Sequence, residues 1–301
     1  MPRWLIFSLL TMLLWGGWGV VSKPLSTALS PWQVQTLSTL GLLPVLALLA
    51  RSKNLRAGPD PRRGFWLAFA SGVVGSVGNV AYYAAFAAGA KAAAVTPLTA
   101  LYPIVTIGLA LVFLRERLNA IQAIGVLTSL AALYAFNVGG DAGWLTPWLP
   151  LALIPILLWG VCALLQKVAT TRASIELVTA AFLLGEFPVA LVTPLFQPTN
   201  LHLPGATWGL LFLLGLLFGL GNLTLIFAYG TGGKASVVTP MASLYSLVTI
   251  PFAIWLLHER IGVREAVGIV LALVAVVALG WEKAPDTGEG DMFGGEKPLT
   301  R

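Results

Sequence analysis

The chain has 301 residues, of which 57% are hydrophobic and only 10% are charged, and its formal net charge is +6. A soluble domain carries about 25% charged residues, so a mean hydropathy of +0.86 and this scarcity of charge exclude a water-soluble globular protein. The Lys and Arg residues stand between apolar runs rather than on a basic stripe with aromatics, so no nucleic-acid partner is expected.

Ten apolar runs of membrane-spanning length follow one another along the chain. Those of the first half are residues 4–22, 32–50, 65–88, 92–114 and 119–137. Those of the second half are residues 148–166, 175–195, 207–230, 236–257 and 263–281. About 20 helical residues cross the roughly 30 Å hydrocarbon core of a bilayer. We therefore predict an all-α polytopic membrane protein with ten transmembrane helices that contact the lipid bilayer.

The second half of the sequence repeats the first. Residues 78–117 read GNVAYYAAFAAGAKAAAVTPLTALYPIVTIGLALVFLRER, and 18 of these 40 positions are identical in residues 221–260, GNLTLIFAYGTGGKASVVTPMASLYSLVTIPFAIWLLHER. A shorter repeated segment reads LLWGGWGVVSK at 13–23 and LLWGVCALLQK at 157–167. Internal repeats determine architecture, so we predict a five-helix repeat at 1–140 and another at 145–281. The polar tail 282–301 is predicted to be disordered and cytoplasmic.

The odd number of helices in each repeat predicts that the two halves are inverted copies. The second repeat must begin on the opposite side of the membrane, an arrangement typical of secondary transporters with a substrate site between the repeats. With the N-terminus in the cytoplasm, fourteen of the 18 Lys and Arg residues lie in inside segments. The positive-inside rule therefore predicts that both termini are cytoplasmic.

Glu186 is the one carboxylate that the sequence places well inside a predicted helix. An ionised carboxylate at mid-bilayer costs on the order of 3 kcal/mol, and an apolar surrounding favours its neutral form. Glu186 is therefore a candidate proton carrier. The alternatives are a protonated structural hydrogen-bonding group or a position nearer the interface. The equivalent residue of the first repeat is Leu42, so this acid belongs to one half only.

Two asparagines and three tyrosines are candidate cavity residues. Asn79 and Asn222 are equivalent positions of the two repeats, and Tyr82, Tyr83 and Tyr229 follow them within two helical turns. Asparagine in a membrane also bridges helices by hydrogen bonds, and tyrosine near a helix end also forms interfacial belts. Both interpretations remain open for these residues.

Trp15 and Trp159 are a second equivalent pair, each followed by glycine, at Gly16 and Gly160. A small residue beside a large aromatic suits close helix packing. An indole that faces the centre could instead stack on a substrate.

Two short turns carry candidate gating residues. GAKAAAVTP (89–97) and GGKASVVTP (232–240) place Lys91 and Lys234 at a helix start, where the helix dipole disfavours a cation. A paired carboxylate or an anionic ligand would explain each lysine, and so would a side chain that reaches water. Pro97 and Pro240 follow one turn later and are expected to bend equivalent helices, which suits a gate between inverted halves.

No pattern in the sequence predicts an enzyme, a cofactor or a metal site. His202 and His258 have no metal-ligating partner at useful spacing, and the single cysteine, Cys162, cannot form an intramolecular disulfide. The stretch TGGKAS (231–236) has no Ser or Thr directly after Lys234, so it does not match a phosphate-binding loop.

The repeated segments resemble the drug/metabolite transporter superfamily, in particular its EamA-domain branch. The likeness rests on the repeated segments 13–23 and 157–167 and on the repeated stretches 92–117 and 235–260. It implies two inverted five-helix repeats around a central cavity, with peripheral fifth and tenth helices that can support a homodimer. By this resemblance the helices that border the cavity carry Trp15, Lys23, Asn79, Tyr83, Pro97, Tyr102, Trp159, Asn222, Tyr229, Pro240 and Tyr245.

These observations predict a secondary transporter that works by alternating access in the bacterial inner membrane, and the resemblance implies that it exports small metabolites such as amino acids. The predicted substrate contacts are Trp15, Asn79, Tyr82, Tyr83, Tyr102, Trp159, Asn222, Tyr229 and Tyr245. Glu186 is the predicted proton carrier, and Lys91, Lys234, Pro97 and Pro240 are the predicted gating residues. The alternative is a non-transporting receptor or a lipid scramblase on the same scaffold.

Overall fold

The structure is a computed structural model that describes residues 2–113, 119–137, 146–233, 235–279 and 281. Its regular structure in these ranges is helical throughout. The first half contains α1 (Arg3–Ala28), α2 (Pro31–Ser38), a 3-10 turn (Thr39–Leu42), α3 (Leu43–Ala50), α4 (Pro61–Ala87), α5 (Ala92–Thr99), α6 (Pro103–Phe113) and α7 (Ala120–Asn137).

The second half presents the same succession of long and broken helices. It contains α8 (Leu149–Thr170), α9 (Ile175–Gly185), α10 (Phe187–Phe196), α11 (Gly205–Gly230), α12 (Ala235–Ser243), α13 (Ser246–Trp255) and α14 (Val263–Leu279). The first, third and fifth predicted helices of each half are continuous, and the second and fourth are broken. The predicted tail 282–301 lies outside the described residues, as does the linker 138–145.

Eight helical stretches in the described ranges are long and apolar enough to cross a membrane. They correspond to the predicted runs other than the fifth and the tenth. For the fifth, the apolar stretch Ala120–Ala132 of α7 is shorter, and for the tenth, α14 has 17 residues. The multi-pass helical architecture follows directly from these stretches.

Prolines at equivalent positions explain the breaks in the second helix of each half. Pro44 stands at the start of α3 and Pro188 at the start of α10. Proline has no N–H to donate to the preceding turn, so the α-helical hydrogen-bond ladder is interrupted there. In the second half the interruption falls at Glu186, whose N–H donates to Leu183 O at 3.2 Å. The sequence predicted an uninterrupted helix over 175–195, and the structure divides it at the acidic residue.

The longest helices pair across the two halves. α1 packs along α11, and the pair is antiparallel because Phe7 lies 5.2 Å from Phe227 by ring centroids while Thr11 and Thr224 share a 2.8 Å hydrogen bond. The equivalent helices α8 and α4 pack in the same way. α7 and α14 pack along each other.

Contacts along α4 establish the relative direction of α1 and α8. Trp18 of α1 stacks on Tyr82 of α4, and the later residue Lys23 lies over the later residue Phe86, so α1 and α4 are parallel. The backbone N–H of Asp60, which caps α4, donates to a carbonyl just after the end of α8. α8 therefore runs antiparallel to α4 and antiparallel to its own equivalent, α1.

Equivalent residues make reciprocal contacts between the halves. Thr249 Oγ1 donates to the carbonyl of Gly16 at 3.0 Å, and Thr106 Oγ1 donates to the carbonyl of Gly160, also at 3.0 Å. A residue of the first half contacts a residue of the second, and the equivalents of these two residues make the same contact with the halves exchanged. Such a pair of contacts arises when the halves are related by a two-fold operation. The repeat in the sequence is therefore a pseudo-two-fold repeat in the structure.

Candidate functional site

A cavity of about 50 Å³ lies between the two halves. Six of the nine predicted substrate contacts line it, as three equivalent pairs: Trp15 and Trp159, Asn79 and Asn222, and Tyr102 and Tyr245. Among the described residues no Asp, Glu, Lys or Arg lines this cavity. A volume of this size holds a few water molecules and is far below the roughly 300 Å³ or more of ordinary ligand pockets. The cavity is therefore smaller than an ordinary ligand pocket.

Aromatic pairs related by the pseudo-two-fold form two walls of the cavity. Trp15 meets Tyr245 edge-on, with ring centroids 6.3 Å apart at 89°. Trp159 meets Tyr102 with centroids 6.3 Å apart at 88°. Edge-to-face geometry is favourable for aromatic pairs. Each indole therefore packs against a phenol ring from the opposite half, and both rings remain at the cavity surface.

The two tyrosines reach the cavity because the helices that carry them are interrupted. α5 ends at Thr99 and α12 at Ser243, within four residues after Pro97 and Pro240. Across the interruptions the N–H of Tyr102 donates to the carbonyl three residues earlier at 3.1 Å, and that of Tyr245 does the same at 3.2 Å. Pro97 and Pro240 thus stand inside equivalent helices that end soon after them, and the expected bend stays a prediction. Their role in gating stays a prediction.

Hydrogen bonding breaks the symmetry of the cavity. Trp159 Nε1 donates to Asn79 Oδ1 at 3.2 Å. On the other side, Asn222 Nδ2 donates to its own helix at Phe218 O, at 2.9 Å. Trp15 Nε1 has no hydrogen-bond partner among the described residues. A buried donor without a partner costs free energy, and Trp15 Nε1 packs against Gly221, so the two indole N–H groups differ in their hydrogen bonding.

Three predicted tyrosines lie away from the central cavity. Tyr82 is fully buried and stacks on Trp18, with centroids 4.7 Å apart at 14°. Tyr229 shares a 2.8 Å hydrogen bond with Thr239. Tyr83 lines a second, smaller chamber. Tyr82 supports the cavity wall from behind, because Trp18 itself lines the cavity.

Glu186 lies at that second chamber, which measures about 10 Å³ and has room for a single water molecule. Only 1% of its surface is exposed. Its Oε2 accepts hydrogen bonds from Gln35 Nε2 at 2.9 Å and from Asn79 Nδ2 at 3.3 Å. Gln35 Nε2 also donates to Ser76 Oγ at 2.8 Å. The acid is therefore held by neutral donors from α2 and α4 rather than by a cation.

Two acceptor atoms at the small chamber have no donor among the described residues, namely Glu186 Oε1 and Gln35 Oε1. Buried acceptors without partners are costly. A proton on the carboxyl group would supply the missing donor. The role of Glu186 as a proton carrier stays a prediction.

The sequence reasoning did not single out Gln35, Gln166, Trp18 or Phe218. Gln166 lines the central cavity, and its Nε2 donates to Asn222 Oδ1 at 3.4 Å. Both glutamines are almost fully buried. The rule that singled out Glu186, that polar groups inside a membrane are expensive, applies equally to a buried amide and would have found them.

The predicted gating lysine Lys91 has a carboxylate partner, one of the three explanations considered for it. Its Nζ lies 2.7 Å from Glu265 Oε2 and donates to Arg260 O at 2.8 Å. Glu259 accepts from two backbone N–H groups at the start of α5, those of Ala92 and Ala93, at 2.8 and 2.9 Å. The turn before α5 is thus held against the segment before α14. The other predicted gating lysine, Lys234, lies outside the described residues.

No group of three His, Cys, Asp or Glu side chains that could hold a metal ion occurs within the described ranges. Cys162 is a free, buried thiol at the central cavity.

Comparison with known proteins identifies the fold. A model of the EamA-like transporter family matches residues 2–138 and again 146–281. The chain belongs to the EamA-like transporter family. This family is part of the drug/metabolite transporter superfamily, and the two matched ranges correspond to the two halves of the structure.

A solved structure described only as "Crystal structure of protein" has a TM-score of 0.64 to this EamA-like chain at 18% identity, and covers 91% of this chain and 94% of that one. At this identity the likeness shows the fold alone. No curated protein matches the sequence significantly. Family membership and the apolar helices together make the chain an integral multi-pass membrane protein of a transporter family.

Proposed function

We propose that this protein is a secondary carrier that exports small metabolites, amino acids among them, by alternating access. The observation that carries the proposal is the central cavity, which equivalent residues of two antiparallel halves line together. A site shared by inverted repeats can be exposed to one side or the other when one half rocks against the other.

The proposed topology has ten membrane spans and cytoplasmic termini in a bacterial inner membrane. It is supported by the opposite directions of α1 and α8 and by the excess of Lys and Arg in the segments assigned to the inside. α7 and α14 would complete the two five-helix sets. A homodimer through these helices stays a prediction.

The chemistry of the cavity favours an amphipathic substrate that is neutral overall. The lining combines aromatic rings with the amides of Asn79, Gln166 and Asn222. Aromatic walls bind apolar groups, and a few placed polar groups orient the ligand. The free N–H of Trp15 suits an acceptor such as a carbonyl or carboxylate oxygen. A strongly anionic phosphate would find no cation among the described lining residues.

The proposed mechanism requires a closure at each end of the cavity. Lys23 donates to the carbonyl of Ala90 in the turn before α5, and Lys167 donates to Gly233 O in the equivalent turn, at 3.2 Å. Gly233 lies beside Trp4, near the start of α1, while Lys23 lies near its end. Nineteen residues of helix span about 28 Å, so the two closures are at opposite ends of the protein. The structure, with both closures made, represents an occluded state of the proposed cycle.

Glu186 is the proposed proton carrier. It is the buried carboxyl group at the small chamber, and Asn79 joins this chamber to the central cavity. A proton gradient could then drive export through a group that belongs to one half only.

The test is transport by purified protein in liposomes. Radiolabelled amino acids with apolar and aromatic side chains are offered one at a time in a counterflow assay, and saturable flux is expected for at least one. Gln166→Leu, in the central cavity, should reduce this flux about tenfold or more. Gln122→Leu is the matched control, because Gln122 is also a buried glutamine but bonds to Leu279 O between α7 and α14.

The other outcomes separate the alternatives. Saturable binding without flux would identify a receptor, and movement of fluorescent phospholipid between leaflets would identify a scramblase. Equal losses in Gln166→Leu and Gln122→Leu would show that the central cavity is not the substrate path.

A further inference from the structure

Asn79 touches both the small chamber and the central cavity. Its Nδ2 donates to Glu186 Oε2 at 3.3 Å, and its Oδ1 accepts from Trp159 Nε1 at 3.2 Å. The side chain is 2% exposed and lines both spaces. A single amide therefore stands between the acid and an indole that forms the cavity wall.

The equivalent residue in the other half makes no such link. Asn222 bonds to Phe218 O and to Gln166, and the residue equivalent to Glu186 in the first half is Leu42. Trp15, equivalent to Trp159, has a free indole N–H among the described residues. The connection from acid to amide to indole thus exists on one side of a cavity that is otherwise symmetric.

We propose that Asn79 is a positioning residue that transmits the protonation state of Glu186 to Trp159 and so to the substrate cavity. This inference rests on the proposed role of Glu186 as the proton carrier. While Glu186 is ionised, the bond from Asn79 Nδ2 is charge-assisted, and such bonds are about twice as strong as neutral ones. The amide is then held towards the acid, and its oxygen keeps the Trp159 N–H occupied.

Protonation of Glu186 weakens the hydrogen bond that holds the Asn79 amide towards the acid. A neutral carboxyl group attracts Asn79 Nδ2 less, so the amide can turn and release the Trp159 N–H towards the cavity. Trp159 would then match Trp15, and the cavity would present two indole donors to an acceptor-bearing substrate instead of one.

The hydrogen bonds that Glu186 accepts reach Trp159 through Asn79. α2 contributes the neutral donor Gln35, and α4 contributes Ser76 and Asn79. The titratable side chains that face the acid from the packed helices are Tyr83 of α4 and Cys162 of α8, both buried. Among the described residues no Lys, Arg, Asp or His faces it.

The test is NMR spectroscopy of the full chain in lipid nanodiscs with ¹⁵N-labelled indoles, which needs no substrate. The chain has 11 tryptophans, and Trp159→Phe and Trp15→Phe assign the two relevant resonances. A ¹³C-labelled glutamate sample, assigned by Glu186→Gln, reports the titration of the acid itself. Between pH 5 and 10 the Trp159 indole resonance should shift with the same midpoint as Glu186, and the Trp15 resonance should not shift.

Variants of Asn79 test whether its side-chain amide carries the effect of Glu186 on Trp159. In Asn79→Leu, and in Asn79→Ala as a second variant, the Trp159 resonance should lose its pH-dependent shift while the other indole resonances show an intact fold. Asn222→Leu is the matched control and should leave the shift unchanged. A Trp159 shift that persists in the folded Asn79 variants, or in Glu186→Gln, overturns the relay.

The failure of the relay and the failure of the proton site give different results. If Glu186 titrates but the Trp159 resonance does not move, the relay is wrong and the proton site stands. If the Glu186 carboxyl does not titrate in this range, the proposed proton role is wrong and the relay is wrong with it.

Discussion

Lys23 and Lys167 occupy equivalent positions in the two halves and make equivalent contacts at opposite ends of the protein. Each ammonium donates to a backbone carbonyl in the turn that precedes a proline-containing helix, at Ala90 and at Gly233. Each also lies over an aromatic ring, 5.6 and 5.8 Å from its centroid. Both lysines are half-buried, and neither has a carboxylate partner within salt-bridge distance among the described residues. They are the natural candidates for the two alternating closures.

Replacing one of these lysines should open its own end of the cavity. A hydrogen bond from a charged group contributes about 1.5 to 3 kcal/mol. Lys167→Met should therefore raise about tenfold the fraction of molecules whose cavity is open at the Gly233 end. The native Cys162 thiol is the reporter, because it lines the central cavity. Its reaction with a membrane-impermeant thiol reagent should accelerate from that side only. Lys23→Met should accelerate it from the other side.

An exposed lysine serves as the control for that experiment. Lys53 lies in the loop after α3 and is exposed, so Lys53→Met should leave both rates unchanged. Equal acceleration from both sides in Lys167→Met would mean that the lysine stabilises the fold rather than one closure.

Alanine at either of two equivalent glycines should destabilise the contact between the halves. A Cβ at Gly16 would overlap Val248, and a Cβ at Gly160 would overlap Val105. Overpacking of this kind costs about 1 to 3 kcal/mol, so both variants should unfold at lower temperature in detergent. Gly108→Ala is the control, because no atom lies within 4 Å of its Cβ position, and alanine is the better helix former by about 0.5 to 1 kcal/mol. A Gly16→Ala variant as stable as Gly108→Ala would contradict the close approach.

Pro97→Ala and Pro240→Ala should each slow turnover about tenfold while substrate affinity changes little. Each substitution restores a backbone N–H to its helix, and an interior proline costs about 3 kcal/mol of helix stability. A straighter helix would resist the rocking of the broken segment. Single-turnover flux and equilibrium binding measured in parallel separate the two effects. Pro155→Ala is the control, since α8 runs unbroken past Pro155. Matching losses of binding and turnover would argue against a gate at these prolines.

Glu186→Gln should abolish the pH dependence of uptake and proton-driven accumulation, while exchange of substrate across the membrane continues. Glutamine has the shape of the acid and stays neutral at every pH, so it imitates the protonated form throughout. Glu176→Gln should behave like the wild type, because Glu176 lies at the start of α9 and contacts Ser52 and Asn54 in the loop after α3. Uptake by Glu186→Gln with unchanged pH dependence would remove the acid from the mechanism.

Much of the fold was predictable because two signals extend over most of the chain: hydropathy predicts the apolar helices, and the repeat predicts two equivalent halves. The repeat also led to two of the cavity pairs, Trp15 with Trp159 and Asn79 with Asn222, whereas Tyr102 and Tyr245 were expected only from the family resemblance. The sequence left Trp15 and Trp159 open between helix packing and a cavity role, and both line the cavity.

Side-chain direction around a helix was the part that the sequence did not supply. Tyr82 and Tyr83 were selected because they follow Asn79 along α4, but position along a helix does not determine which face a residue occupies, and Tyr82 stacks on Trp18 rather than lining the cavity. The division of α9 from α10 at Glu186 also escaped notice, because Pro188 was not considered as a break. The hydrogen bond from Asn79 to Glu186 occurs in one half only, because Leu42 holds the position equivalent to Glu186. The repeat therefore could not predict it.

Glu259 should matter more for stability than the neighbouring Glu265. The first N–H groups of a helix have no partner within the helix, and the carboxylate of Glu259 accepts two of them at the start of α5, from Ala92 and Ala93. Glu265 forms an ion pair with Lys91, in which the side chains are 30% and 40% exposed, and it accepts one backbone N–H, that of Gly262 before α14, at 2.7 Å. Exposed ion pairs contribute about 0 to 1 kcal/mol, the loss of a helix cap costs about 0.5 to 2 kcal/mol, and Glu259 satisfies two backbone N–H groups where Glu265 satisfies one. Glu259→Gln should therefore lower the unfolding temperature more than Glu265→Gln, and should speed modification of Cys162 from the same side as Lys23→Met, because both changes release the turn before α5. If Glu265→Gln has the larger effect on either measurement, the ion pair rather than the helix cap holds this end closed.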